Sequence, residues 1–256
     1  MEELIKIYNA GIVGAGGAGF PTHKKLDVKV EYLIINGAEC EPLLQNDKYI
    51  MREKPEELLK GIKITAEIVE ARKIVFALKR KYKEEIDSLI KASQKLNMDI
   101  DFFYMDSIYP AGDEQILVYE VTGRTVPPGG IPLQVGVVVS NVGTLLNIHY
   151  AMKDKPVIRR LVSVMGEVNN PILLDIPIGI AIKECIDAAG GSKLKEFSVI
   201  LGGPVMGKII TSEETESRTI TKTDGGVIVI PSDHYLVRKN TIKLQHMVNQ
   251  TKSSCI

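Results

Sequence analysis

Residues 32–42 read YLIINGAECEP. The run Tyr32 to Asn36 is short and apolar, and a glycine, two acids and a proline follow it. An apolar run ended by a turn signal reads as a buried strand. The carboxyl end of such a strand is where open α/β sheets usually bind ligands. Just upstream, residues 11–26 read GIVGAGGAGFPTHKKL. Gly14, Gly16, Gly17 and Gly19 crowd together, Phe20-Pro21-Thr22 stiffens the exit, and Lys24 and Lys25 come next. Glycine tolerates positive φ and lets a ligand lie on the backbone. Successive free N–H groups form a concave anion cradle, and a lysine adds a point charge suited to phosphate. The loop therefore reads as the seat of a phosphate-bearing cofactor. A flexible linker would rarely carry Phe followed by Pro.

Residues 14–19 satisfy G-x-G-x-x-G, but the dinucleotide fingerprint also needs a strand before it and a helix after it. The residues before the loop read as a helix. Leu4, Ile5 and Tyr8 have helical spacing, Glu2 and Glu3 suit the first turn, and Gly11 suits the position after the helix end. Pro21 fixes φ and donates no hydrogen bond. A Rossmann first turn is therefore not favoured.

Taken together, GAGGAGFPTHKKL and INGAECEP resemble the NADH-binding flavoprotein subunit of respiratory complex I. They are still more similar to the C subunit of the Rnf electron-transport complex and its soluble relatives, the proline-reductase-associated and cobalamin-reductase proteins. The resemblance runs from about Tyr8 to the last residue.

The rest of the chain alternates. Residues 55–71 carry Leu58, Leu59, Ile62, Ala66 and Val69 at helical spacing, and residues 82–96 carry Ile86, Leu89, Ile90 and Ala92. Residues 73–78, 100–105 and 136–140 read as strands. This order implies a mostly parallel sheet with flanking helices. Residues 109–114 (YPAGDE) open a helix that runs to Gly123, and residues 125–132 form a turn-rich loop. Asp113 and Glu114 suit helix capping, while the resemblance makes them an acidic flavin-contacting turn. Asn141 suits an N-cap of the helix ending near Met152, and also resembles the family's flavin-facing strand-end asparagine.

A composition shift at 153–156 introduces strands at 161–168, 172–176, 198–201 and 227–230 and a helix at 179–188. The resemblance makes this a β-grasp, soluble-ligand-binding domain. The expected division is residues 1–153 for a Rossmann-like flavin and NADH domain, 154–232 for the β-grasp domain, and 233–256 for a tail leading to an iron–sulfur domain. A second glycine loop at 202–207 (GGPVMG) reads as a β-grasp turn or an interdomain contact. Residues 212–217 (SEETES) read as a solvated acidic loop.

Composition sets bounds. The 256 residues include 32 Lys+Arg and 32 Asp+Glu, a balance that argues against a nucleic-acid surface. Apolar runs are shorter than a transmembrane span, and the amino terminus is not a secretory signal. Cys40, Cys185 and Cys255 are too few and scattered for a disulfide framework, which suits a reducing cytoplasm. The alternative setting is peripheral, through partner subunits, on a membrane complex. His23, His149, His234 and His246 do not cluster at metal-ligand spacing. Cys40, between two acids, reads as a poor nucleophile.

The resemblance implies FMN, with its phosphate on Gly14, Gly16, Gly17 and Gly19 and Lys25 contacting the flavin. Asn36, Glu39, Gly112, Asp113, Glu114, Asn141 and Thr144 match positions lining the ring and ribityl chain. For NADH, Glu41 matches the glutamate at the nicotinamide carboxamide, Phe20 an aromatic stacking on adenine, and Glu114 a further contact. The tail matches the start of a Cys-x-x-Cys-x-x-Cys motif at Cys255. A 4Fe-4S cluster takes four thiolates, so one is expected only in a longer form of the chain. The implied activity is an NADH:acceptor oxidoreductase passing electrons to iron–sulfur or other electron-transfer subunits. Departures are Ala38 for an aspartate, Asp113 for a glutamate, Ser140 for an asparagine, Gly143 for a glutamate, and a shortened 125–132 loop. They bear on NADH more than on flavin, and leave a second reading: a non-catalytic electron-carrier or docking module with a β-grasp ligand site.

Overall fold

A computed structural model of the protein describes residues 1–240, 248–249 and 252–253. Cys255 and His246 lie outside them, and so does half of the expected tail.

The chain opens with helix α1 (Glu2–Asn9), and Gly11, at φ +67°, takes the left-handed turn after it. The buried face is not the one the spacing of Ile5 and Tyr8 suggests. Ile7 is fully buried with Ala10, while Ile5 and Tyr8 are exposed. Helix α2 (Thr22–Lys25) is a single turn after the glycine loop. Strand β1 (Tyr32–Gly37) then enters the sheet. Helix α3 (Asn46–Glu53), which no sequence pattern announces, precedes α4 (Pro55–Ile68), β2 (Lys73–Lys79), α5 (Lys83–Lys95) and β3 (Asp101–Met105). Helix α6 (Glu114–Thr122), a 3-10 turn at Pro132–Val135, β4 (Val137–Asn141) and α7 (Val142–Ala151) complete the first unit. Its four strands are all parallel, in the order β3-β2-β1-β4.

Strand residues alternate between two cores, as a period of two requires. Leu33, Ile35, Phe76, Leu78 and Val138 face a layer made with α3, α4, α5 and α7. Ile34, Ala77, Val137 and Val139 face the other side, where Leu117 and Val118 of α6 cover them. Helices α4 and α7 approach so closely at Gly61 that a Cβ there would overlap the Leu145 carbonyl.

The second unit contains β5 (Arg159–Gly166), β6 (Ile172–Pro177), α8 (Ile182–Ala188), β7 (Phe197–Leu201), β8 (Lys208–Thr211), α9 (Glu214–Ser217) and β9 (Gly226–Pro231). Helix α10 (Tyr235–Asn240) follows. The mixed sheet runs β6-β5-β9-β7-β8, with β5 and β9 parallel and the other pairs antiparallel. Ile182, Cys185 and Ile186 of α8 pack on Val162, Val164, Val199 and Val229. Two sequence expectations are corrected here. Residues 212–217 are not wholly a solvated loop, because Thr215 in α9 is buried and its hydroxyl donates to the Ser212 carbonyl. The first strand begins at Arg159, not residue 161, which brings Arg159 and Arg160 into the sheet.

Candidate flavin site

The glycine loop is a closed, braced turn. Val13 and Pro21 pair across its base. The Gly14 amide donates to the Phe20 carbonyl at 2.9 Å, and the Gly19 amide to the Gly14 carbonyl at 3.3 Å. Gly17 (φ +110°) and Gly19 (φ +67°) occupy conformations that side chains resist. The Ala15 amide donates to Thr144 Oγ1 at 2.9 Å, fastening the loop to the first turn of α7. Among the described residues, none accepts a hydrogen bond from the amides of Gly16, Gly17 or Ala18, and all three residues are exposed. Asn141 caps α7, its Oδ1 accepting from the Gly143 amide at 2.8 Å. The outward amides therefore sit at the positive end of a ten-residue helix, which is a fit for phosphate.

At the carboxyl end of β1, Asn36 donates from Nδ2 to the Gly112 carbonyl (2.8 Å) and accepts from the Ala38 amide (3.1 Å). The Gly112 amide donates to Cys40 Sγ at 3.0 Å. Gly112 has to be glycine, since a Cβ would press on Ala38 and Cys40 at 2.8 and 3.0 Å. Asp113 caps α6, accepting from the Gln115 and Ile116 amides at 2.9 and 3.1 Å. Lys25 Nζ reaches Glu114 Oε1 at 2.7 Å. Lys25, Asn36, Gly112, Asp113 and Glu114 thus form one cluster. Gly16, Gly17, Glu39, Glu41 and Asn141 line a cleft of about 750 Å³ between the two units. Phe20 is half exposed at the loop exit.

Glu39 has a positive φ of 36°, a strained setting for a glutamate. Its carbonyl accepts from Lys79 Nζ at 3.0 Å, and the neighbouring Ala38 carbonyl accepts from the Tyr82 hydroxyl at 3.0 Å. The Glu39 carboxyl is turned inward. Burial, and then the charge of Asp47, pushes it up to about 8. Asp47 is itself raised by burial to about 6, against the opposing 2.7 Å hydrogen bond from Asn141 Nδ2. Arg160, half-buried, lies near both but bonds instead to the carbonyls of Ala15 (2.9 Å), Asp224 and Thr223.

Sequence reading missed Asp47, which stands in the unannounced helix α3. An acid in a first helical turn was the available signal. It also missed Arg160, for which no spacing exists, and the partners of Glu41. The Glu41 carboxylate accepts from the amides of Val205 (2.9 Å) and Met206 (2.7 Å) in the second glycine loop. Among the described residues there is no metal-type cluster of His, Cys, Asp and Glu, and no helix is long and apolar enough to cross a membrane.

The model of the Nuo51 FMN-binding domain matches residues 7–150, and that of the SLBB domain matches residues 161–208. Cobalamin reductase PduS of Citrobacter freundii is 40% identical over 251 residues, covering 98% of this chain and 54% of the relative. PduS of Salmonella typhimurium is 39% identical over the same length, again covering 98% of this chain and 54% of the relative. A component of the Na(+)-translocating ferredoxin:NAD(+) oxidoreductase complex of Acetobacterium woodii is 36% identical over 225 residues, covering 86% of this chain and 50% of the relative. The chain therefore spans about half the length of these relatives. In fold it is similar to a chain of an NAD+-reducing NiFe-hydrogenase in the H2-reduced state, with a TM-score of 0.79 at 23% identity, over 91% of this chain and 47% of that one. By the match of more than half its length, the chain belongs to the family of the Nuo51 FMN-binding domain, whose members are flavin-binding electron-transfer subunits.

Proposed function

We propose that this chain binds FMN non-covalently, takes hydride from NADH and hands the electrons on to an iron–sulfur or other electron-transfer partner, in the cytoplasm or at the periphery of a membrane complex. The observation that carries the reading is the row of outward amides at Gly16, Gly17 and Ala18 at the N-terminus of α7. These amides, within the Gly14–Gly19 turn, would hold the phosphate. Lys25, Asn36, Glu39, Gly112, Asp113, Glu114, Asn141 and Thr144 would surround the rest of the cofactor. Phe20, Glu41 and Glu114 would meet the dinucleotide. The unit at 1–153 would carry the flavin, the unit at 154–232 would dock on it, and residues from 233 would lead toward cluster ligands, beginning with Cys255, in a longer form.

Bound FMN supplies the electron chemistry, accepting two electrons with hydride and releasing them singly. The chain's own residues bind, orient and set the local potential. No side chain needs to act as a general acid for the hydride itself. The half-buried Glu39–Asp47 pair holds proton and charge close to the loop, while Lys25 and Glu114 fix each other at the cluster beside α6.

A second reading, a carrier or docking module without NADH activity, draws on one observation: both oxygens of Glu41 are already occupied by amides of the second unit. Anaerobic titration separates the readings. Purified chain mixed with FMN should turn yellow with quenched flavin emission, and NADH should then bleach it. Binding without bleaching removes the NADH claim and leaves the flavin claim. No binding removes both.

A further inference from the structure

The back of the glycine loop rests on the second unit, at three places along its length. Lys222 Nζ donates to the Gly11 carbonyl where the loop begins. Arg160 Nη2 donates to the Ala15 carbonyl at 2.9 Å in its middle. Near its end, the Thr223 methyl group lies 3.0 Å from where a Cβ on Gly19 would stand. Arg160 is tied in turn to the carbonyls of Asp224 and Thr223, so the guanidinium joins the turn before β9 to the loop. It forms no ion pair with Asp47 or Glu39, although both lie close enough to influence its charge.

The consequence follows from peptide geometry. The Ala15 carbonyl and the Gly16 amide belong to one planar trans unit and point in opposite directions. A guanidinium that draws the carbonyl backward turns the Gly16 N–H outward, beside the amides of Gly17 and Ala18. The same contact places a half-buried positive charge beside the cradle, in the wall of the cleft that Gly16 and Gly17 also line, where an anion is less screened from it than in open solvent.

We propose that Arg160, from the second unit, is a positioning residue of the phosphate cradle, so that the anion site belongs to both units and not to the glycine loop alone. This rests on the reading of the loop as an FMN phosphate seat. Arg160 acts through its hydrogen bond to the Ala15 carbonyl.

The test compares FMN with riboflavin, which has the same ring and ribityl chain but no phosphate. Both are titrated by fluorescence quenching into the wild-type chain, R160Q and R160K, with circular dichroism of each unliganded chain as the folding control. Loss of a charge-assisted contact should weaken FMN binding about tenfold in R160Q, with riboflavin affinity nearly unchanged. R160K keeps the charge and should recover part of the FMN affinity. Equal losses for FMN and riboflavin would mean a merely structural role and overturn the proposal, as would an R160Q chain that binds FMN like the wild type. If R160Q does not fold, R160K decides: a selective FMN loss supports the proposal, and unchanged or unselective binding overturns it. A wild-type chain that quenches neither compound overturns the flavin reading and this inference with it, an outcome visible before any variant is made.

Discussion

The carboxylate of Glu41 accepts a 2.7 Å hydrogen bond from the backbone amide of Met206. Its second oxygen takes the Val205 amide, and a Cβ on Gly203 would overlap it, so the 202–207 loop is shaped around this one side chain. A carboxylate from the first unit thus latches the second. A dinucleotide that engages Glu41 would compete with that loop for its carboxylate.

Glu41→Ala should loosen the latch. Hydrogen bonds to a charged group are worth about 1.5–3 kcal/mol when shielded. Here the pair is solvent-exposed, and about 1 kcal/mol is expected. Hydrogen exchange read by mass spectrometry should show faster exchange at 205–206 with β7 unaffected. Unchanged protection of those amides would rule the latch out. Gly203→Ala should produce the same local signature by steric overlap.

Stability should fall as pH rises through the neutral range. Glu39 moves from 4.5 to about 8 and Asp47 from 3.8 to about 6 on folding. Both folded values lie above the unfolded ones, so the folded protein retains protons that the unfolded chain gives up. Their contribution is full below about pH 4 and is lost progressively up to about pH 8. Lys48, Lys79 and Arg160 oppose this by favouring the ionised forms. The midpoint of thermal unfolding should drop on the order of 5 °C between about pH 5.5 and pH 8.5. Glu39→Gln should remove most of that slope, and a slope as steep as the wild type's would show that Glu39 is not its source.

Lys25→Ala should weaken FMN binding about tenfold. It removes both a cation of the cluster and the 2.7 Å partner of Glu114. Parallel titrations of Lys25→Ala and Glu39→Gln locate the site: if both variants bind FMN as tightly as the parent, the cofactor sits elsewhere.

Gly61→Ala probes the framework rather than the site. Its methyl group would meet the Leu145 carbonyl between α4 and α7, and overpacking of this kind costs about 1–3 kcal/mol. A lowered unfolding midpoint is expected. Since α7 begins at the cradle, FMN affinity should fall much less than stability.

Where the chain's local pattern was strong, its structure could be read directly. The short apolar strands β1 and β4, the amphipathic α4 and α5, and the glycine turn each announce themselves within a dozen residues, because apolar runs, helical periodicity and backbone permissiveness act over that range. Helix α3 stayed hidden because its buried set includes Asn46, a polar residue that donates to the Gly225 carbonyl and accepts from Ser163 in the second unit. The buried face of α1 departs from the apolar spacing of Ile5 and Tyr8 for a related reason. One fully buried residue, Ile7, is chosen by what lies opposite it and not by the helix's own pattern.

By itself the sequence determined two things about this protein: a parallel sheet whose first strand ends in acids, and a glycine turn able to offer amides to an anion. Both are short-range properties of residue type and spacing. The tertiary structure alone decided that Asp47 stands beside Glu39, that Met206 closes on Glu41, and that Arg160 grips Ala15 from 145 residues away. The first pairing needs the turn after β1 to fold back on α3, and the other two depend on how the two sheets meet; no local periodicity encodes the meeting of surfaces that distant along the chain.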